Sequence, residues 1–478
     1  MSEYVPTIGL EIHAELRTTT KMFCHSRNDA YSAEANTNVC PVCLAHPGTL
    51  PVINREAVRH VLRVGLALRG TLADYTEFDR KNYFYPDQPK GYQLSQYEYP
   101  LVSGGELHGV AVTRVHLEED TASSSHEEGV GTVIDYNRSG VPLMELVTEP
   151  IITSSKQAGD FARELQLLLK YLCASDANME KGEMRVEANI SISKNNVRGT
   201  KVEVKNLNSF RAMERAIEFE IKRQASILER GEVVVQETRG WDEGKQSTFS
   251  QRAKEGSADY RYFPDPDLPS LRLSEIKEYL PSSLAKDMPE LPFERRRRYL
   301  DIGIKYQDAE SFVRSKDLGD FFETVIANHV EDRDWVILAS NYVANDLVAL
   351  IRDTEKPDTE SNAEIAISAR NFNTIIDMLA TRKVSSSVAK QLLIQCFKTK
   401  KDPEMLANDK NLLQSGSPDD LKTLIEVILL ENASVVSDYR SGKAPALQFL
   451  IGKAMKTSKG TADPSSVKAL LLQMIDLV

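Results

Sequence analysis

GLEIHAEL, residues 9–16, is the stretch on which the fold turns. Alternation puts Leu10, Ile12 and Ala14 on one side and Glu11, His13 and Glu15 on the other, as in a strand with one buried face. The pattern recurs downstream. In MRVEANISIS (184–193), Val186, Ala188, Ile190 and Ile192 oppose Arg185, Glu187, Asn189, Ser191 and Ser193. In TKVEVKNLNSF (200–210), Val202 and Val204 oppose Lys201, Glu203 and Lys205. A sheet with one solvated face is the plain reading of any single such strand. Three strands whose polar faces gather Glu, His, Arg and Asn, rather than scattered Thr, Lys and Ser, also fit a sheet that is covered on one side and holds a ligand on the other.

Helical periodicity intervenes at 55–69, 156–174 and 211–230, without regular strand–helix alternation, so the class is α+β with a mixed or antiparallel sheet. A Pro-rich passage, YFPDPDLPSL and then MPELP, closes this part. Beyond it the pattern is almost wholly helical, with a capping box at Ser361 and Glu364. KTKKDPEMLANDKN reads as a linker. Ser417-Pro418 and Asp463-Pro464 mark helix starts in a last small unit. The expected domains are therefore residues 1–290, 291–407 and 408–478.

The 478 residues are 41% hydrophobic and 27% charged, ordinary values for a soluble protein with a sizeable core. The first residues carry no secretory signal pattern, and no apolar run approaches the roughly 18 residues of a membrane span. Five cysteines make no disulfide framework; Cys173 and Cys396 read as small core residues, and a cytoplasmic location is expected. A net charge of −11 argues against a chain wrapped all round by nucleic acid but permits local basic strips.

Three strings stand out. DRKNYFYPDQPKGYQLSQYEYP (79–100) interleaves Arg80, Lys81 and Lys90 with five tyrosines, which suits stacking on a base and gripping phosphate; a rigid surface loop is the alternative. RVHLEEDTASSSH (114–126) puts three acids together, with Glu119 facing opposite to Glu118 and Asp120. NRSGVPLMELVTEP (137–150) puts Glu145 and Glu149 on an otherwise apolar face, which is costly without a cation. Glu11, His13, Glu119 and Glu145 together would form an oxygen-rich site with one imidazole, suited to Mg²⁺ bound with nucleotide phosphates. Neither GxxxxGK[ST] nor GxGxxG occurs, so phosphate would be held by Lys, Arg and metal. No cysteine or serine has the setting of a glutaminase nucleophile.

These strings, with KGEMRVEANIS, QETRGWD and DYRYFPDPDL, resemble in order the B subunits (the GatB family) of the tRNA-dependent amidotransferases, over essentially the whole chain. The resemblance implies a glutamine-synthetase-like cradle. In it ATP would phosphorylate the side-chain carboxylate of Glu or Asp esterified to the wrong tRNA, and ammonia would displace the phosphate. It implies two partners in a heterotrimer, an amidase (the A subunit) supplying ammonia and a small C subunit. It carries metal ligation to Glu11, His13, Glu119 and Glu145, phosphate contacts to Lys81 and Lys90, and secondary contacts to Arg185, Asn189 and Glu149. Two positions depart from the family pattern. Some members have a C-x-C pair before the CPxC knuckle as a zinc site; here Cys24-His25-Ser26 leaves Cys24, Cys40 and Cys43, with His25 as a possible fourth ligand or the knuckle degenerate. Ile151 stands where an Asp usually follows Glu-Pro. In the tail, Arg440, Lys443, Lys453, Lys456 and Lys459 form a basic strip, a tRNA-backbone clamp or simply a solvated helix face. A non-catalytic tRNA-binding subunit is the alternative function, but a pure RNA adaptor needs no metal-site carboxylates.

Overall fold

A computed structural model describes residues 4–31, 33–127, 129, 131–194, 197–253, 257–354, 365–413, 418–443, 445–458, 462 and 464–477. It divides into two compact units, 1–292 and 293–478.

The first unit is built on one large sheet. Its main strands are β1 (Val5–Glu15), β2 (Asp79–Asn82), β3 (Tyr92–Ser95), β4 (Val110–Glu119), β5 (Pro142–Thr148), β6 (Met184–Ser193), β7 (Val202–Leu207), β8 (Glu237–Asp242), β9 (Ser247–Ala253) and β10 (Phe263–Pro264). They lie in the order β9-β8-β7-β6-β1-β5-β4-β3-β2-β10. Neighbours on this path are antiparallel apart from β7 and β8, which are parallel. The N-terminal strand β1 is thus central. On one side Glu11 faces Val147 and His13 faces Glu145; on the other Glu11 faces Glu187 and His13 faces Arg185.

The alternation read in the sequence sets the two faces. Ile8, Leu10, Ile12 and Ala14 of β1, with Val186, Ala188 and Ile190 of β6 and Val202 and Val204 of β7, are buried. Each large aliphatic side chain among them contributes roughly 1.5–3 kcal/mol. Helix α3 (Phe210–Glu229) packs on β6 and β7 and against helix α2 (Ser155–Tyr171), while helix α1 (Arg55–Ala67) packs on β4. Each has a polar N-cap: Asn54 accepts from the amides of Glu56 and Ala57, Ser154 from Gln157, and Ser209 from Ala212. The opposite face of the sheet carries the charges. Cys173 is not a core residue: it follows the C-cap of α2 in a left-handed conformation (φ 51°) and is exposed, whereas Cys396 is buried.

Among its described residues the second unit is helical. The stretch 398–411, read as a linker, instead contains a helix, Pro403–Asp409. Asp402 caps it by accepting from the Met405 amide, and Leu406 and Ala407 are buried. Pro418 and Pro464 each open a helix, Pro418–Glu431 and Pro464–Leu477. Their expected caps, Ser417 and Asp463, and the capping box of Ser361 and Glu364, lie outside the described residues. The tail helices share a core that includes Ile425, Leu450, Val467 and Leu471. None of the described helices is long and apolar enough to cross a membrane.

Candidate active site on the polar face of the sheet

Register converts separate anomalies into one constellation. Directly paired residues on antiparallel strands point to the same side. Glu145 pairs with His13 on one flank and with His116 on the other, so β1, β5 and β4 bring their polar side chains together. His13 Nε2 lies 3.3 Å from both Glu118 Oε1 and Glu145 Oε2. His116 Nε2 lies 3.5 Å from Glu145 Oε2, and Arg114 Nη2 lies 3.7 Å from Glu145 Oε1. Toward β6 and β7, Glu11, Glu187 and Glu203 offer carboxylate oxygens within 4.8 Å of one another. Lys205 Nζ sits 2.9 Å from Glu187 and 3.8 Å from Glu203.

The electrostatics follow from this crowding. Burial would raise Glu145, but His116, then His13, hold it well below the usual carboxylate range. Burial likewise opposes ionisation of Glu118, yet the His13 hydrogen bond and the Lys81 ammonium hold it down. Burial works against the His13 cation, and the bonds to Glu118 and Glu145 outweigh it, raising His13. Among the described residues Glu11 has no such cation in contact: burial, then Glu145 and Glu187, push it up to about 7. Glu15 also rises to about 7, through burial and then Asp120. Buried Glu118 Oε2, Asn189 Oδ1 and His116 Nδ1 have no hydrogen-bond partner among the described residues. Such orphans are expensive unless something else binds them.

Lys81 stands over this face. Burial disfavours its charge, and Glu118 and Tyr262 outweigh that, holding it firmly protonated. Its Nζ lies 5.2 Å from the Tyr260 ring centroid. Tyr262 stacks on Tyr97 at 4.3 Å, and Tyr83 packs edgewise on Tyr260. Cation and aromatics from the 79–100 string therefore meet a second string, DYRYFPDPDL, to wall the cluster.

Two expected members lie elsewhere. Glu119, grouped with Glu11, His13 and Glu145 on sequence grounds, is not part of this cluster. It points to the covered side of β4, where Lys90 Nζ contacts Oε1 at 2.5 Å and the Leu94 amide donates to Oε1 at 3.0 Å. Lys90 is committed there and does not join Lys81. The pair lines a separate cavity of about 250 Å³. The physical reason is the period of two: Glu118, not Glu119, shares a face with His116 and Asp120. Arg185 lies on the site's face but donates to Asp120 Oδ2 at 2.8 Å. Asn189 pairs across the strands with Gly9 and Glu203. Glu149, past the end of β5, accepts from Thr113 Oγ1 at 2.7 Å, away from the cluster. Sequence reasoning missed His116, Glu118, Glu187, Glu203 and Lys205 as site residues. The alternation in RVHLEED was the signal available for His116 and Glu118.

Cys24, Cys40 and Cys43 do come together, with sulfurs within 4.8 Å. His25 is exposed and is not among them; Ser26 Oγ, 3.9 Å from Cys43 Sγ, stands at the fourth side. The fully buried Lys21 ammonium lies 3.9 Å from the same sulfur. Three thiols, a hydroxyl and a resident cation fall short of a four-ligand N/S zinc site.

In the tail, Lys453 and Lys456 are exposed on the helix Pro445–Thr457. Arg440 instead donates to the Ile475 carbonyl at 2.6 Å, and Lys443 pairs with Asp438 at 2.9 Å. Phe449 on the same helix is 52% exposed. Lys459 lies outside the described residues.

The chain is similar to known proteins along its length. The profile of the GatB/GatE catalytic domain matches residues 6–278, and that of the GatB domain matches residues 320–475. The B subunit of the aspartyl/glutamyl-tRNA(Asn/Gln) amidotransferase of Thermoanaerobacter pseudethanolicus is 40% identical, over 98% of this chain and 98% of its own. The protein of the same name from Moorella thermoacetica is 40% identical over 99% and 100%, and that from Crocosphaera subtropica 37% over 99% and 98%. With a central strand bearing GLEIHAEL, flanked by the strands that complete its acidic face, the chain belongs to the GatB family, the B subunits of the aspartyl/glutamyl-tRNA(Asn/Gln) amidotransferases.

Proposed function

We propose that the chain activates the side-chain carboxylate of Glu or Asp esterified to tRNA, using ATP, and there converts it to the amide. The observation that carries the reading is the meeting of His13, Glu118 and Glu145 from three adjacent strands, with Glu11, Glu187 and Glu203 beside them. An oxygen-rich donor set with one imidazole, and a buried Glu118 Oε2 without a partner, fit Mg²⁺. Bound there, Mg²⁺ would supply charge neutralisation for the phosphate oxygens of ATP. His13, Glu118, Glu145 and Glu11 would hold it.

In the first step a substrate carboxylate oxygen attacks the γ-phosphorus and ADP leaves, giving an acyl phosphate. In the second, ammonia attacks the acyl carbon, inorganic phosphate leaves with the bonding pair, and a proton is lost from nitrogen. Lys81, kept cationic, places positive charge beside the transferring phosphoryl group. The tyrosine wall of Tyr83, Tyr97, Tyr260 and Tyr262 limits water, which would otherwise hydrolyse the intermediate. Arg185, tied to Asp120, acts as a positioning residue, with Asn189 deeper on the same face. Lys90 and Glu119, facing away, brace the loop after β2 rather than the reacting groups.

In this reading residues 1–290 are the catalytic cradle, 291–407 a helical domain and 408–478 a tRNA-binding tail that uses Lys453 and Lys456. Ammonia comes from the amidase partner, with the small third partner completing the heterotrimer. The test supplies the assembled complex with ATP and Glu-tRNA or Asp-tRNA and replaces ammonia by hydroxylamine. ATP-dependent aminoacyl hydroxamate is the expected product. Amide formation without ADP release, or tRNA binding with no chemistry, would favour a non-catalytic tRNA-binding role.

A further inference from the structure

The polar face of β1 continues beyond His13. Glu15 follows two residues later on the same side, about 7 Å further along the strand. Its Oε1 accepts a hydrogen bond from the Tyr31 hydroxyl at 2.7 Å. Its Oε2 has no hydrogen-bond partner among the described residues. The guanidinium groups nearby are committed elsewhere. Arg185 donates to Asp120 Oδ2 at 2.8 Å, and Arg138 donates to the carbonyls of Thr121 and Ala122 at 3.0 and 3.1 Å.

A cavity of about 470 Å³ opens at Glu15. Four carboxylates line it, those of Glu15, Asp29, Asp176 and Glu183, against the two cations Arg17 and Lys181. Arg17 is spent on Asp176, at 3.6 Å. The cavity therefore has an excess of negative charge and favours a cationic occupant. It sits one strand step from the place where a substrate carboxylate must lie to be activated.

We propose that Glu15 binds the α-ammonium group of the aminoacyl ester and so determines which acyl groups reach the reacting position. The proposal rests on the function proposed above and adds the second anchoring point of its substrate. An extended glutamyl side chain carries its carboxyl carbon about 5 Å from its α-nitrogen, and an aspartyl one about 4 Å. Either span, with a hydrogen bond at the nitrogen end, bridges Glu15 and the His13–Glu118–Glu145 cluster. Two anchors on one rigid strand fix the carboxylate for in-line attack, and an acyl group lacking the amine has only one.

The experiment uses the assembled complex with saturating ATP and compares Glu-tRNA with N-acetyl-Glu-tRNA in the wild-type protein and in Glu15→Gln and Glu15→Asp. ADP formation and amide formation are followed, and Mn²⁺ binding is measured in parallel. For wild type, KM for the acetylated substrate should exceed that for the free amine by roughly 10- to 100-fold, the range of a charge-assisted hydrogen bond. Glu15→Gln should raise KM for Glu-tRNA by a similar factor and abolish the discrimination, with kcat and Mn²⁺ stoichiometry nearly unchanged. Glu15→Asp should restore part of it. The wild-type comparison needs no variant, so an unstable Glu15→Gln protein leaves the test standing. Equal use of both substrates by wild type, or undiminished discrimination in Glu15→Gln, overturns the proposal while ADP formation from Glu-tRNA upholds the reading beneath it. Absence of ADP formation by wild type with both Glu-tRNA and Asp-tRNA overturns both.

Discussion

Glu118 and Glu119 are adjacent in sequence and on opposite sides of a sheet, so the same isosteric change in each should produce opposite defects. Glu118 is 2% exposed, and its Oε1 lies 3.3 Å from His13 Nε2, so water does little to screen it. Glu118→Gln removes one charge and, in the proposed reading, one Mg²⁺ ligand, while Glu145 still holds His13 at 3.3 Å. Loss of a ligand should forfeit about 3–4 kcal/mol of transition-state stabilisation. At about 1.4 kcal/mol per factor of ten, that is roughly a 100- to 1000-fold drop in ATP-dependent phosphate release. Thermal stability should change little. Glu119→Gln leaves the cluster whole but strands the Lys90 ammonium, whose partner lies at 2.5 Å on the covered side of β4. Breaking a buried pair costs up to about 3–5 kcal/mol, and the neutral amide softens this. The expected result is a lowered Tm with ADP formation within about tenfold of wild type, less than the Glu118 loss by the same arithmetic. Phosphate release with Glu-tRNA and thermal unfolding, run on both variants, decide it. If Glu119→Gln abolished ATP cleavage at unchanged Tm while Glu118→Gln stayed near wild type, the assignment of faces to chemistry would fall.

Other consequences can be measured as directly. Glu11 and Glu15 are both raised from 4.5 to about 7, so the folded state holds protons that the unfolded state has lost. Without divalent cation, stability should then fall as pH rises from about 4.5 to 7, by at most about 3 kcal/mol for each group. Mg²⁺ should oppose the loss and Glu11→Gln should reduce the slope; denaturant titrations across that range that show no decline count against it. Lys81→Ala should slow ADP formation by about 100-fold, within the reach of one electrostatic group, and leave tRNA affinity unchanged, as filter binding would report. Ser26→Cys should give the Cys24–Cys40–Cys43 cluster its fourth thiol and raise zinc content toward one per chain by elemental analysis, while chelator leaves the wild-type Tm where it is. Charge reversal at Lys453 and Lys456 should weaken tRNA binding and flatten its salt dependence, without altering amidation at saturating tRNA; an unchanged salt slope would make that helix face an ordinary solvated one.

Alternation within a strand was legible because it depends only on neighbours. It placed Ile12 inside and Glu11 and His13 outside, and it separated Glu118 from Glu119. What it could not give was register: nothing within GLEIHAEL says that His13 will face Glu145 and Arg185. The grouping therefore joined Glu119, which lies on the other face of β4, to Glu11, His13 and Glu145. Glu187, Glu203 and Lys205 stood on polar faces that fit a ligand-holding sheet, but nothing tied them to a particular site until β6 and β7 were laid beside Glu11. Conversely, Arg440 and Lys443 looked like free cations because their partners, the Ile475 carbonyl and Asp438, are set by tertiary packing or by a turn. The helix at Pro403–Asp409 was hidden by polarity, although its Asp-Pro start was in plain view.

The central place of β1 has a consequence for how the protein is made. β1 is synthesised before both of its neighbours and cannot complete its hydrogen-bond ladders until residues 142–148 and 184–193 have followed. Loop closure of that length delays folding, and the waiting segment, apolar at every second residue, has two open edges in the meantime. The nascent chain should therefore be a client of holding chaperones until synthesis passes β6. Truncations that end before Met184 should aggregate rather than yield a smaller catalytic fragment, because the strand that carries Glu11 and His13 would lack one of its two neighbours.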